Sequence, residues 1–377
     1  MIKLTVTIAR YLTGLLFIFS GLVKAIDPRG LAYKMQEFFE AWANAGFMKD
    51  LMEQLGHHAL GFSVFMITLE VVVGLALLLG WQKKMVSWVL FALILFFTFL
   101  TSYVLFSGKI RACGCFGDCI PITPIQTFTK DIILLLLSVL LLVKQKYILP
   151  ITKPVVSFIL VLLSTLATLS LQFYVMKYLP VRDCLPYKIG NNILELRKMP
   201  ANAIPDQYAI QFIYEKNGAQ KEFSAEALPD SSWEYVDRKQ KLVAAGKNNT
   251  PLINDFTLTT LSGNDTTEAI LNQSGIYYLL FIKDIESISE KFKADQDLAV
   301  AANEKGIPFY IVTARREMIR NRYDQLFLKG TKIEIPVFSC DATAIKTAAR
   351  ADMVLYKMKG AVVEHKWGWG DFGKVHF

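Results

Sequence analysis

The sequence predicts a bundle of about five membrane-spanning helices followed by a soluble α/β domain. Two observations predict it. Of 377 residues, 53% are hydrophobic and only 20% are charged, where an ordinary soluble domain carries about 25% charged residues. The charge is also unevenly placed. Residues 1–178 hold 15 Lys and Arg against 8 Asp and Glu, and the remaining chain holds 26 against 25. A one-domain cytosolic enzyme and a disordered chain are both excluded. The net charge of +8 sits mostly beside apolar runs, where basic residues set membrane topology; it does not point to nucleic acid.

A helix needs roughly 20 apolar residues to cross a bilayer core about 30 Å thick. Residues 85–107 and 155–176 are free of charge, and 59–80 carry only Glu70. Residues 4–23, interrupted by Arg10, and 127–143, with Lys130 and Asp131 in the first turn, complete five spans. The first is read as a retained span, because no small-x-small cleavage site follows it. The connections at 81–84 and 144–153 are basic and carry no acid. They are therefore expected in the cytoplasm with the N-terminus, at a bacterial inner membrane. Loops 24–58 and 108–126, and everything after residue 176, then face the periplasm. In loop 24–58, Leu31, Met35, Phe38, Phe39, Trp42, Leu51 and Leu55 recur at helical spacing, as in an amphipathic helix covering the bundle mouth.

Glu70 lies mid-span. A carboxylate there costs about 2.5–3.5 kcal/mol on insertion scales, so it should face the bundle and meet Arg10 or Ser20. It is a candidate proton relay or quinone-binding residue, or else a polar clamp between helices. Lys24 and Asp27 read as interface anchors.

Cys113, Cys115 and Cys119 fall within seven residues, and Cys184 emerges at the same membrane face. Four thiols on one oxidising face favour disulfides. Three readings stay open: an exchangeable redox pair, structural disulfides, or a thiolate metal site. No histidine lies nearby to complete a common zinc pattern, and no metal is expected. A link is expected either within 113–119 or from that loop to Cys184. The longer link would act as a staple, and a short strained pair would suit exchange.

Three segments carry a family resemblance: Phe19-Ser-Gly-Leu-Val-Lys-Ala-Ile-Asp-Pro28, residues 68–80, and Cys113-Gly-Cys-Phe-Gly117. Over about residues 4–145 the chain resembles the DoxX and MauE families of small membrane bundles. The resemblance implies a redox-linked bundle, with a role in the disulfide state of a periplasmic partner and a possible link to a membrane quinone.

Three regions are expected: a transmembrane bundle over 1–178, a β-rich lead-in and linker over 179–250, and an α/β domain over 251–377. Residues 208–214 alternate, Asn217-Gly218 marks a hairpin turn, and 220–225 return. From residue 252 the pattern reads as strands at 253–259, 275–283, 307–313 and 335–339. Helices are read at 286–305, 315–328 and 342–351, and a final hairpin at 353–357 and 361–366. Strands alternating with helices and closed by an antiparallel pair resemble a thioredoxin-like fold. Two departures matter. Residues 284–289, where that fold carries Cys-x-x-Cys, contain no cysteine, and 350–353 lack the expected proline. Cys340 reads as a small core residue, and Trp367-Gly-Trp-Gly370 as packing against the sheet. Nucleotide, zinc-protease and hydrolase motifs are missing from the sequence.

The leading expectation is a membrane protein acting on the thiol-disulfide state of a periplasmic partner. Cys113, Cys115, Cys119 and Cys184 are its candidate catalytic residues, and it would be a thiol-disulfide oxidoreductase if they exchange. The alternative is a non-catalytic scaffold with structural disulfides and a partner-binding domain.

Overall fold

The computed structural model describes residues 1–377 except 109, 111–113, 115, 121, 245, 247, 261, 284–291 and 316–334, and leaves out the side chains of 241 and 292–296. Five of its helices are long and apolar enough to cross a membrane: α1 (Ile2–Ala25), α4 (Ala59–Leu79), α5 (Lys83–Ser107), α6 (Pro124–Val143) and α7 (Pro154–Tyr178). Each agrees with an expected span. Between the first two lie α2 (Pro28–Asn44) and α3 (Lys49–His57), where the sequence suggested one amphipathic helix. The break falls at Gly46 and Met48, both at positive φ. Asp27 caps α2 by accepting from the Gly30 N–H, and Pro28 is pre-set for the first helical turn. Its buried face, Leu31, Met35, Phe38 and Phe39, packs on α4 and α5, with Trp42 set against Phe99 and Tyr103. The amphipathic helix covers its own bundle, as expected.

Small residues let α1 and α4 approach closely. A Cβ on Gly14 would sit 2.6 Å from the Leu78 side chain, and one on Gly74 would sit 2.9 Å from the Gly14 carbonyl oxygen. The outermost span, α7, turns Phe158, Leu162, Leu163 and Leu166 outward. Gln172 faces inward and donates to Thr68 Oγ1 at 2.9 Å.

Two sheets follow. β1 (Gln207–Lys216), β2 (Ala219–Ser224) and β3 (Glu234–Ala244) form an antiparallel sheet in the order β2-β1-β3. Asn217 and Gly218 make the first turn at φ +54° and +78°, the conformation an Asn-Gly hairpin favours. β3 was not anticipated. The second sheet comprises β4 (Ile276–Ile282), β5 (Phe309–Thr313), β6 (Val337–Ser339), β7 (Met353–Lys359) and β8 (Val362–Gly368), in the order β6-β5-β4-β7-β8. β4, β5 and β6 run parallel, while β7 and β8 run antiparallel. β4 is buried from Tyr277 to Ile282, as a central strand covered on both faces should be. Helices Phe292–Glu304 and Ala342–Ala348 flank this sheet; the expected helix at 315–328 lies outside the described residues.

One expected strand is corrected. Residues 253–259 bury Ile253, Phe256 and Leu258 but form no ladder strand. Only Thr259 bridges, exchanging both backbone hydrogen bonds with Ser339 at 2.9 Å. The alternation marked burial in the core, not strand pairing.

Candidate functional site

The sheet half sits on the end of the bundle where α1 and α7 finish and α4 begins. Its contact surface comes from the C-terminal end of β4, helix Ala342–Ala348 and the turn before β7. Arg350 reaches Asp27 at 3.0 Å and Asp118 at 2.6 Å. Asp352 pairs with Arg29 at 2.5 Å. Lys283 donates to the Tyr33 hydroxyl at 2.9 Å, and Lys346 to Gln36 Oε1 at 3.1 Å. Lys283, Lys346 and Arg350 all lie over the Tyr33 ring. Burial holds the Lys283 ammonium below the ordinary lysine range. Burial alone would raise the Tyr33 phenol, but Lys283 and Arg29 draw it below its usual value.

Asp27, expected as an interface anchor, is a buried partner of Arg350. Arg350 occupies the place where the thioredoxin resemblance called for a proline. Lys283 immediately precedes residues 284–289, the stretch without cysteines. The edge at which that resemblance would put redox chemistry is turned onto the bundle.

The cysteine loop lies beneath this contact. Cys119 and Cys184 form a disulfide across 65 residues. Of the two links left open, the described residues contain the long one. Each bonded cysteine follows an aspartate that grips the sheet half: Asp118 holds Arg350, and Asp183 holds Lys366 at 2.7 Å. Cys113 and Cys115 lie outside the described residues. Gly114 between them is described, at φ +72°, and a Cβ there would meet Lys34 Cγ at 3.2 Å. Lys34 lines a groove of about 280 Å³ with Tyr33, Asp118, Leu185, Lys346 and Arg350.

On the loop's other side, Phe116 packs 6.0 Å from the Phe19 ring and roofs a cavity inside the bundle. Ser20 and Lys24 of α1, Glu70 of α4, and Lys130 and Asp131 of α6 line it. Glu70 faces the interior, as its insertion cost required. Its partner is Lys24, not Arg10. Lys24, read as an interface anchor, is instead 2% exposed and reaches down into the cavity. Arg10 lies toward the opposite end of the bundle. It donates to the Leu77, Leu78 and Leu149 carbonyls at 2.8, 2.6 and 2.8 Å, satisfying the carbonyls at the end of α4. Asp131 pairs with Lys130 at 2.5 Å through Oδ1. The cavity offers about 20 Å³, room for a single water. The ring of a quinone does not fit it, so the Glu70 site disagrees with a quinone there.

Among the described residues no group of three or more His, Cys, Asp or Glu could hold a metal. Cys340 is a core residue; burial pushes its thiol up to about 12, too high for a reactive thiolate. The Trp367–Gly370 segment packs on the sheet and also on the last span: Lys177 lies 4.9 Å over the Trp369 ring. The pairing of Asp118 and Asp183 with the sheet half was missed by sequence reasoning. Its available signal was an aspartate directly before each of two cysteines.

Comparison with known proteins bears on the bundle. Residues 2–144 match the model of the family described as methylamine utilisation protein MauE. The N-terminal half carries a MauE-type membrane domain. That domain supplies the whole cavity and both pairs within it. Residues 208–245, which hold β1–β3, match a domain of unknown function, DUF8463. Protein TlpB of Flavobacterium psychrophilum is 31% identical over 163 residues, 42% of this chain and 41% of that protein. The match thus spans about two-fifths of that relative's length. No solved structure matches.

Proposed function

We propose that this chain is a redox-associated protein of a bacterial inner membrane, exchanging thiols and disulfides with a periplasmic partner through Cys113 and Cys115. The observation that carries the reading is the setting of the described residues beside those cysteines. Phe116 lines a buried charged cavity, Asp118 lines an open groove, and Cys119 is bolted to Cys184. The staple takes two of the four clustered cysteines, so exchange falls to Cys113 and Cys115. In the exchange, one of these thiols, as thiolate, attacks a partner disulfide to form a mixed disulfide. The second thiolate then displaces the partner's sulfur. The pair loses two electrons, the partner gains them, and two protons pass from this chain's thiols to the partner's. Residues 1–178 form the redox bundle, 179–250 the lead-in, and 251–377 a thioredoxin-like domain that docks rather than reacts. The order β5-β4-β7-β8, with two parallel strands followed by an antiparallel pair, supports that resemblance. The basic loops at the opposite end support the orientation.

The occupied sheet edge favours a second reading, a scaffold whose sheet half is held by its own bundle. Thiol trapping followed by non-reducing mass spectrometry separates the two. On the exchange reading, Cys119–Cys184 stays linked across mild redox buffers while Cys113 and Cys115 change state. A Cys113–Cys115 segment that never changes state overturns exchange and leaves the scaffold.

A further inference from the structure

The sheet of β1, β2 and β3 has two faces of different chemistry. Its registers set Phe212 opposite Phe223 and Arg238, Tyr214 opposite Lys221 and Tyr235, and Lys216 opposite Ala219. Residues directly opposite in a ladder share a face, so these lie together on one side. The other side takes Glu215, Glu222, Glu234 and Asp237, and there Lys239 pairs with Glu222 at 2.9 Å. No strand position on the first side holds an acid. The acids bordering it, Asp206 and Asp230, lie outside the strands and bond Tyr208 and Ser232. Ser232 in turn accepts from Lys216 at 2.7 Å, so Lys216 is partly balanced by Asp230. Lys221 instead lies 5.5 Å from the Phe223 ring centroid. Phe212, Tyr214, Phe223, Trp233 and Tyr235 form one cluster. Among the described residues their ring contacts are only with one another. Tyr208 and Tyr235 are 53% and 55% exposed.

We propose that this face docks an acidic segment of a partner protein. Its carboxylates meet Lys221 and Arg238, and its apolar side chains lie on the rings. Charge complementarity selects an anionic occupant, because the face is cationic while the reverse face carries the acids. The side chains select a protein, since Tyr, Trp and Arg carry most of the binding energy where proteins meet. The placement of the sheet agrees. Its two stems leave the α/β domain where the Ile253 N–H donates to the Leu196 carbonyl at 3.0 Å, in a groove that Gly360 also lines. Gly360 follows Lys359, which pairs with Ile276 at the start of β4. Lys283, at the other end of β4, is the one turned onto the bundle. The stems therefore start on the side away from the bundle, which favours a protein over the chain's own bilayer. The inference does not rest on thiol exchange, and its failure leaves that reading standing.

The experiment measures binding of a labelled glutamate–tyrosine copolymer to the full-length protein in phosphatidylcholine nanodiscs, by fluorescence anisotropy. Saturable binding that weakens as salt is raised is expected. Lys221→Gln and Arg238→Gln each weaken it about two- to fivefold. Lys239→Gln, the same loss of charge on the reverse face, leaves the affinity unchanged. Tyr235→Ser weakens binding as well. Lys221 and Arg238 are exposed, so their variants keep the sheet and decide the matter if Tyr235→Ser loses it. Polyglutamate, which has no rings, binds more weakly than the copolymer. A copolymer that does not bind, or equal losses in Lys239→Gln and Arg238→Gln, overturns the docking face. Polyglutamate binding as tightly as the copolymer overturns the part given to the rings. Phosphatidylglycerol vesicles or dextran sulfate that bind through Lys221 and Arg238 where the copolymer does not overturn the protein partner.

Discussion

Glu70 shows how far a single residue can be read in advance. Its cost in lipid made an inward orientation certain enough to expect, but not its partner, because the rotation of α1 about its axis is not written in any local pattern. The pairing with Lys24 sharpens the outcome for substitutions. Glu70→Gln keeps a hydrogen-bonding group beside Lys24 and should cost about 1–3 kcal/mol. Glu70→Lys sets two buried ammoniums together and should cost more, about 3–5 kcal/mol. Melting temperatures in detergent check the order, and equal losses would contradict it. The double variant Lys24→Met with Glu70→Leu should be more stable than either single variant. Removing both charges leaves neither buried alone.

At the scale of elements, the five spans were legible because bilayer thickness sets one length and hydrocarbon excludes charge. The α/β alternation of the second half was legible for a related reason, since a buried central strand such as β4 must be apolar throughout. What escaped was pairing. Residues 253–259 alternated like a strand but use only Thr259 in a bridge. β3 escaped because its sequence, dense in charge from Glu234 to Lys241, shows no apolar face. The cysteines were legible as a set, and which two would join was not, since both choices were compatible with one membrane face. The α1–α4 contact carries its own expectation. Gly74→Val forces a side chain against the Gly14 carbonyl and should destabilise by about 1–3 kcal/mol. Gly61→Val, on the same helix with nothing within 4 Å, should leave the melting temperature unchanged. Similar losses at both glycines would rule out close packing as the cause.

Across the whole molecule, the contact between bundle and sheet is polar and largely buried. Asp27 looked like an anchor in the sequence because its partner, Arg350, lies more than 300 residues away. Arg350→Ala leaves Asp27 without its guanidinium and frees Asp118. The loss should be about 3–5 kcal/mol, as for other broken buried pairs. Hydrogen exchange should report it as faster exchange across α2 and helix Ala342–Ala348, with the transmembrane spans unaffected. Protection unchanged in α2 would mean that the sheet half is held by other means.

The return of β8 to the last span has a mechanical consequence. A Cβ on Gly368 would lie 2.6 Å from the Lys177 carbonyl oxygen, and one on Gly370 would lie 2.6 Å from the Tyr178 ring. The polypeptide thus leaves the bundle at Tyr178 and comes back to the same spot some 190 residues later. Both stems of the sheet half share one anchorage. Tension applied between the membrane and Phe377 would load that anchorage first, before any strand of the sheet bears force. A single-molecule pulling trace should begin with a short rupture that Gly368→Val weakens, and only then show the sheet unravelling.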